Sequence, residues 1–215
     1  MKYKVVVFDL DGTLLDTLED LKDAVNFALS SEALPQRSMD QVRQFVGNGI
    51  IKLMERAVGE KTKNFDKIMN EFRSYYQEHC NDHTEPYPGI MELLGELKKR
   101  GIQTAIVSNK ADFAVQELTS IYFEALIDVS HGENEAAGIR KKPAPDMVLQ
   151  ALEELNCPVS DAIYVGDSDV DVETAHRTGL SCIGVSWGFR GKKFLEENGA
   201  DEIIDVPSQL LDFLA

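Results

Sequence analysis

The chain has 215 residues, 43% hydrophobic and 27% charged, a balance that suits a folded domain and excludes disordered or fibrous structure. A chain of this length buries roughly 70% of its unfolded surface, so it needs neither a disulfide nor a structural metal to fold. Its 22 basic and 37 acidic residues leave a net charge of −15, which repels nucleic-acid phosphates and anionic lipids, so neither nucleic acid nor membrane is expected as a partner. An anionic ligand would have to meet local positive charge or a metal ion. Cys80, Cys157 and Cys182 are scattered and form no C-x-x-C pair; they read as idle thiols of a reducing compartment. The N-terminal run meets Asp9 too soon for a signal peptide, and no apolar stretch is long enough to cross a bilayer. A cytoplasmic location is expected.

Val5-Val6-Val7-Phe8 is a short β-branched and aromatic run, the pattern of a strand buried on both faces. Residues 16–85 then show helical stripes and no convincing strand. The stripes are Leu18, Leu21, Val25 and Ala28; Ile50, Leu53, Met54 and Ala57; and Phe65, Ile68, Met69, Phe72 and Tyr76. Thr17-Leu18-Glu19-Asp20 has the spacing of a capping box that would start the first of them. Pro86-Tyr87-Pro88-Gly89 closes this segment as a stiff hinge. Beyond it, Ile90, Leu93, Leu94 and Leu97 predict a helix ending at Gly101. Strands are expected at Thr104–Val107, Ala125–Val129, Ala162–Val165 and Cys182–Val185, with a helix through Val148, Ala151, Leu152 and Leu155. Strands alternating with helices predict an α/β fold: a Rossmann-like doubly wound parallel sheet. Residues 1–15 and 86–215 would form this core, and residues 16–85 a small helical domain inserted after the first strand.

Ligands of such a sheet bind beyond the carboxyl ends of its strands, where this chain carries Asp9-Leu10-Asp11-Gly12-Thr13, Ser108-Asn109-Lys110 and Gly166-Asp167-Ser168-Asp169-Val170-Asp171. The Asp-Gly pair at Asp11-Gly12 could mark a plain hairpin, but Leu14 and Leu15 lead toward a helix and not a return strand. Asp9 and Asp11 read instead as a carboxylate pair, one a nucleophile and the other a general acid and base, with Gly12 allowing the sharp turn that joins them. Asp167 and Asp171, four apart, would share a face of a helix starting there. The same run opens like a calcium loop, yet Val172 and Thr178 stand where that loop needs glycine and glutamate. Carboxylates gathered from two strand ends repel unless a hard cation joins them, and magnesium suits an oxygen-only site with room for phosphate. Lys142 and Ser108 supply the positive charge and hydroxyl that a phosphoryl group needs. His79 and His83 are four apart, as in a zinc helix, but Cys80 stands where that motif needs glutamate and Pro86 soon ends the helix.

Together these stretches resemble the haloacid dehalogenase-like phosphatase superfamily. Asp9-Leu10-Asp11-Gly12-Thr13 is similar to its first motif, Ser108-Asn109 to its second, Lys142-Pro143 to its third and Gly166–Asp171 to its fourth. The resemblance implies that Asp9 becomes an aspartyl-phosphate and that Asp11 is the acid and base. It also implies that Mg2+ is held by Asp9, Asp167 and the Asp11 carbonyl, with Asp171 behind them orienting Lys142 or a metal-bound water. Gly12, Thr13, Ser108, Asn109 and Lys142 would contact phosphate, and the insertion would be a cap that closes over the site. Phe45-Val46-Gly47-Asn48-Gly49 and Trp187-Gly188-Phe189-Arg190-Gly191 further resemble stretches of phosphoglycolate phosphatases, which adds Gly47, Asn48 and Gly49 as substrate contacts and a small phosphorylated metabolite as partner. A β-phosphoglucomutase-like transferase, an inorganic pyrophosphatase and a receiver-like phospho-aspartate switch use similar parts. Thr13 offers a hydroxyl where the mutases commonly carry an apolar residue, which favours hydrolysis.

Overall fold

The computed structural model describes residues 3–59, 63–134 and 138–214. The chain enters through strand β1 (Val5–Phe8), whose four side chains are all buried because they alternate between two cores. Val6 and Phe8 meet helix α5 (Ile90–Lys99) and helix α6 (Asp112–Phe123) on one face. Val5 and Val7 meet helix α7 (Asp146–Glu154) and helix α8 (Asp169–Thr178) on the other. Full burial of each such side chain is worth about 1.5–3 kcal/mol, so a polar replacement anywhere in β1 would be felt across both layers.

Strand β1 pairs in parallel with β4 (Gln103–Ala111) and with β6 (Ala162–Gly166). Strand β5 (Val129–Glu133) extends the sheet beyond β4, and β7 (Cys182–Val185) and β8 (Glu202–Ile204) extend it beyond β6. The order β5-β4-β1-β6-β7-β8 reverses direction at β1, which places a crevice beyond the ends of β1, β4 and β6.

A second, two-stranded ribbon pairs β2 (Leu15–Asp16) with β3 (Glu85–Pro86) in antiparallel register. Between these strands lie α1 (Leu18–Ser30), α2 (Met39–Phe45), α3 (Ile50–Val58) and α4 (Phe65–His79), packed around a core of their own. The three apolar stripes read from the sequence point into that core; Ile50 and Phe65 are its partly covered members.

Several local expectations are corrected. Ala125–Asp128 is a turn, with Leu126 and Ile127 bonded back to the Phe123 carbonyl and packed on the core, so β5 begins only at Val129. A short apolar run fits a strand and a packed turn equally well. Strand β4 continues through Ser108-Asn109-Lys110, where its pairing with β5 is irregular. Helix α2 was not foreseen, since only Val42 of its residues is buried; a capping box of Ser38 and Gln41 starts it. Thr17 caps nothing: its hydroxyl donates to Asp11 Oδ1 at 2.7 Å, and Asp20 instead accepts bonds from His83 and Thr84. Helix α4 ends at His79, so His83 lies outside it and the two histidines do not share a helical face. No helix among the described residues is long and apolar enough to cross a membrane.

Candidate active site

Asp9 follows β1 directly, its amide tied to the Val165 carbonyl of β6 at 2.9 Å. The next six residues fold tightly, with Leu10 O accepting from the amides of Thr13, Leu14 and Leu15. Gly12 has φ +83°, and a Cβ on it would stand 2.4 Å from Asp167 Oδ2. Only glycine permits both the turn and the contact. Gly12→Ala is therefore expected to destabilise the protein by more than ~1 kcal/mol and to displace Asp167, seen as a lower melting temperature together with lost activity.

Asp167 follows β6 directly and accepts the Phe189 amide at 2.7 Å. Helix α8 begins after it, with Ser168 as its cap, so Asp167 and Asp171 do not lie on one helical face as their spacing suggested. Asp171 is the reciprocal partner in that cap, and it is fully buried. Its Oδ2 accepts from Ser168, and its Oδ1 accepts from Lys142 Nζ at 2.7 Å and Tyr164 OH at 3.0 Å. Lys142, also buried, stands 2.9 Å from Asp9 Oδ1 and 3.1 Å from Tyr164 OH. One ammonium thus joins a carboxylate just past β1 to one in the first turn of α8.

Carboxylate oxygens of Asp9, Asp167 and Asp171 all lie within 4.8 Å of one another. Burial, then the Asp171 charge, push the Asp9 carboxyl up to about 7 against the pull of Lys142. Burial and the Asp171 and Asp9 charges raise Asp167 well above the usual carboxylate range. Burial would lower Lys142, yet Asp171 and Asp9 outweigh it and raise it, so the lysine stays charged.

The cavity above this cluster is lined by Asp9, Asp11, Ser108, Asn109, Lys142 and Asp167 from the core and by Gly47 and Gly49 from the loop between α2 and α3. Asp171 sits behind the lining residues and holds Lys142, the place expected for it. Three expected contacts fall elsewhere. Gly12 also sits behind the lining, against Asp167. Thr13 is enclosed, its hydroxyl without a partner. Asn48 accepts from Arg56 Nη2 at 2.7 Å, a partner on its own helical unit. Asn109 reaches the cavity, but its side-chain amide is already bonded to the backbone of Lys142 and to Gly47 O.

Three residues of this region were missed from the sequence. Lys110, buried in β4, places Nζ 2.9 Å from Asp11 Oδ1 and bonds the Tyr76 hydroxyl of α4. Arg190 donates to the carbonyls of Arg43, Gln44 and Val46 at the end of α2, linking the core to the helical insertion. Lys110 adjoins the Ser108-Asn109 pair and Arg190 lies in the Trp187–Gly191 stretch, hints available from the sequence; Tyr76 reads only as one member of an apolar stripe.

The geometry sets carboxylates, a shared lysine and a hydroxyl at the rim of a parallel sheet, under a helical roof. The family model of the haloacid dehalogenase-like hydrolases matches residues 6–185. This chain belongs to that family. A phosphoglycolate phosphatase of Aquifex aeolicus is 33% identical over 192 residues, 86% of each chain. One of Haemophilus influenzae is 30% identical over 223 residues, 99% of each. The crystal structure of a predicted phosphoglycolate phosphatase from Haemophilus somnus has a TM-score of 0.92 at 29% identity, covering 100% of this chain and 99% of that one. Within the haloacid dehalogenase-like hydrolases, then, the chain is phosphoglycolate phosphatase-like, and it is a phosphatase.

Proposed function

We propose that this haloacid dehalogenase-like hydrolase cleaves small phosphate monoesters, phosphoglycolate foremost, through an aspartyl-phosphate on Asp9, with Mg2+ as cofactor. The observation that carries the reading is Lys142, buried between Asp9 and Asp171 with Asp167 beside them. Such a group balances phosphoryl charge exactly where a carboxylate nucleophile is available.

A divalent ion fits the residues present. Three clustered carboxylates face one ammonium, and Asp9 Oδ1 is buried with no well-directed hydrogen-bond donor. The donors are all oxygen, which suits magnesium. Asp9, Asp167 and the Asp11 carbonyl would hold it, and it would offset the charge of the phosphoryl oxygens. An Asp9 carboxylate oxygen bonds to phosphorus while the ester P–O bond breaks. The electron pair stays on the leaving oxygen, which takes a proton from Asp11. Water then attacks the acyl phosphate, Asp11 takes its proton, and phosphate departs as Asp9 is restored. Residues 16–85 act as a cap whose apolar side chains over the cavity, among them Leu21, Val46, Ile50 and Leu53, keep out other water. We place the enzyme in the cytoplasm, which its three free thiols support.

A phosphate-release screen of small esters in magnesium tests this reading. Phosphoglycolate is expected to lead the panel, and release from none of them would overturn it. Glucose 1-phosphate serves as the control for transfer: isomerised sugar in place of free phosphate would assign the chain to the mutases.

A further inference from the structure

The geometry points to Lys110 and Tyr76 as positioning residues that aim the acid/base Asp11 and tie its aim to the presence of the cap, an inference that rests on the phosphatase reading above. Asp11 has two carboxyl oxygens and exchanges its proton through one of them. Both of its side-chain donors, Thr17 Oγ1 at 2.7 Å and Lys110 Nζ at 2.9 Å, fall on Oδ1. Oδ2 is left for the leaving group and the attacking water, with the plane of the carboxyl already set.

Lys110 is held in turn from the cap. It lies two residues beyond Ser108 on β4, and its Nζ bonds the Tyr76 hydroxyl and stands 4.9 Å from the centre of that ring. Tyr76 is itself buried on α4, stacked on Phe72 with ring centres 5.4 Å apart. A buried ammonium repays its desolvation only when further bonds satisfy it. Here Asp11 supplies one partner from the core and Tyr76 the other from the cap. Withdrawing α4 would strip Lys110 of a partner and loosen its hold on Asp11, so the acid is correctly aimed only while the cap is down.

The test compares a phosphate ester with an acyl phosphate, two small substrates whose leaving groups differ in their need for a proton. The glycolate alkoxide of phosphoglycolate must be protonated as it departs, whereas the acetate of acetyl phosphate leaves as a stable anion. The constant kcat/KM reports the first step for both. Tyr76→Phe keeps the ring stack and removes only the hydroxyl; Lys110→Met keeps the chain length and removes the charge. Against phosphoglycolate, losses of about 10-fold for Tyr76→Phe and about 100-fold for Lys110→Met are expected, and less than about threefold against acetyl phosphate. Equal losses on both substrates, or none on either, would refute the positioning role while leaving the phosphatase reading intact. A wild-type enzyme inert toward both would defeat that reading instead. Should Lys110→Met not fold, Tyr76→Phe decides the matter alone.

Discussion

Asp9→Asn is expected to remain folded and to lose turnover by on the order of 10⁴ or more. Asparagine has nearly the shape of aspartate, and Lys142 keeps Asp171 and Tyr164 as partners. The neutral amide, however, cannot form the acyl phosphate. The change also relieves crowding, because burial and the Asp171 charge already make ionised Asp9 costly. Without divalent ions at pH 8, the variant should therefore melt no lower than the wild type. Phosphate release and a thermal melt check both halves, and mass spectrometry should find no phosphorylated variant. Turnover at the wild-type rate would remove Asp9 from the mechanism.

Stripping divalent ions is expected to abolish activity and to expose a dependence of stability on pH. In the unfolded chain Asp9 ionises near the ordinary 3.8; in the folded protein it does so at about 7. Between those values the folded state keeps a proton that the unfolded state has released. Through Asp9 alone, stability of the metal-free protein therefore falls as pH rises from about 4 to about 7. Asp167 is shifted in the same direction and reinforces the fall. Magnesium is expected to bind only the ionised cluster of the folded state, so at about a hundred times its Kd it should raise the melting temperature at pH 8 by about 5–10 °C. Melts in chelator and in magnesium at pH 5 and pH 8 measure this. Full activity in excess chelator would remove the metal from the reaction.

Asp9, Asp11, Ser108, Lys142 and Asp167 could be read from the chain because each follows closely on an apolar run or a punctuated loop, and the alternation of runs and helical stripes foretold a parallel sheet. The short elements were less legible. The turn at Ala125–Asp128 is as apolar as a strand, and helix α2 buries too little to show a period. Asn48 illustrates a different limit: its place in a suggestive glycine loop says nothing about which way its side chain turns.

Hydrophobic periodicity is a property of neighbours along the chain, so it established the buried strands and striped helices, and with them the strand ends whose acidic residues could carry chemistry. Pairing across the fold is another matter. Lys110 and Asp11 are 99 residues apart, Lys142 and Asp171 29, and Arg190 and Val46 144. Those partners meet because the sheet order sets β1 between β4 and β6 and because the ribbon of β2 and β3 returns the helical insertion to the same rim. Which lysine answers which carboxylate follows from that packing, where each buried charge must find an opposite one or lose more in desolvation than folding can return.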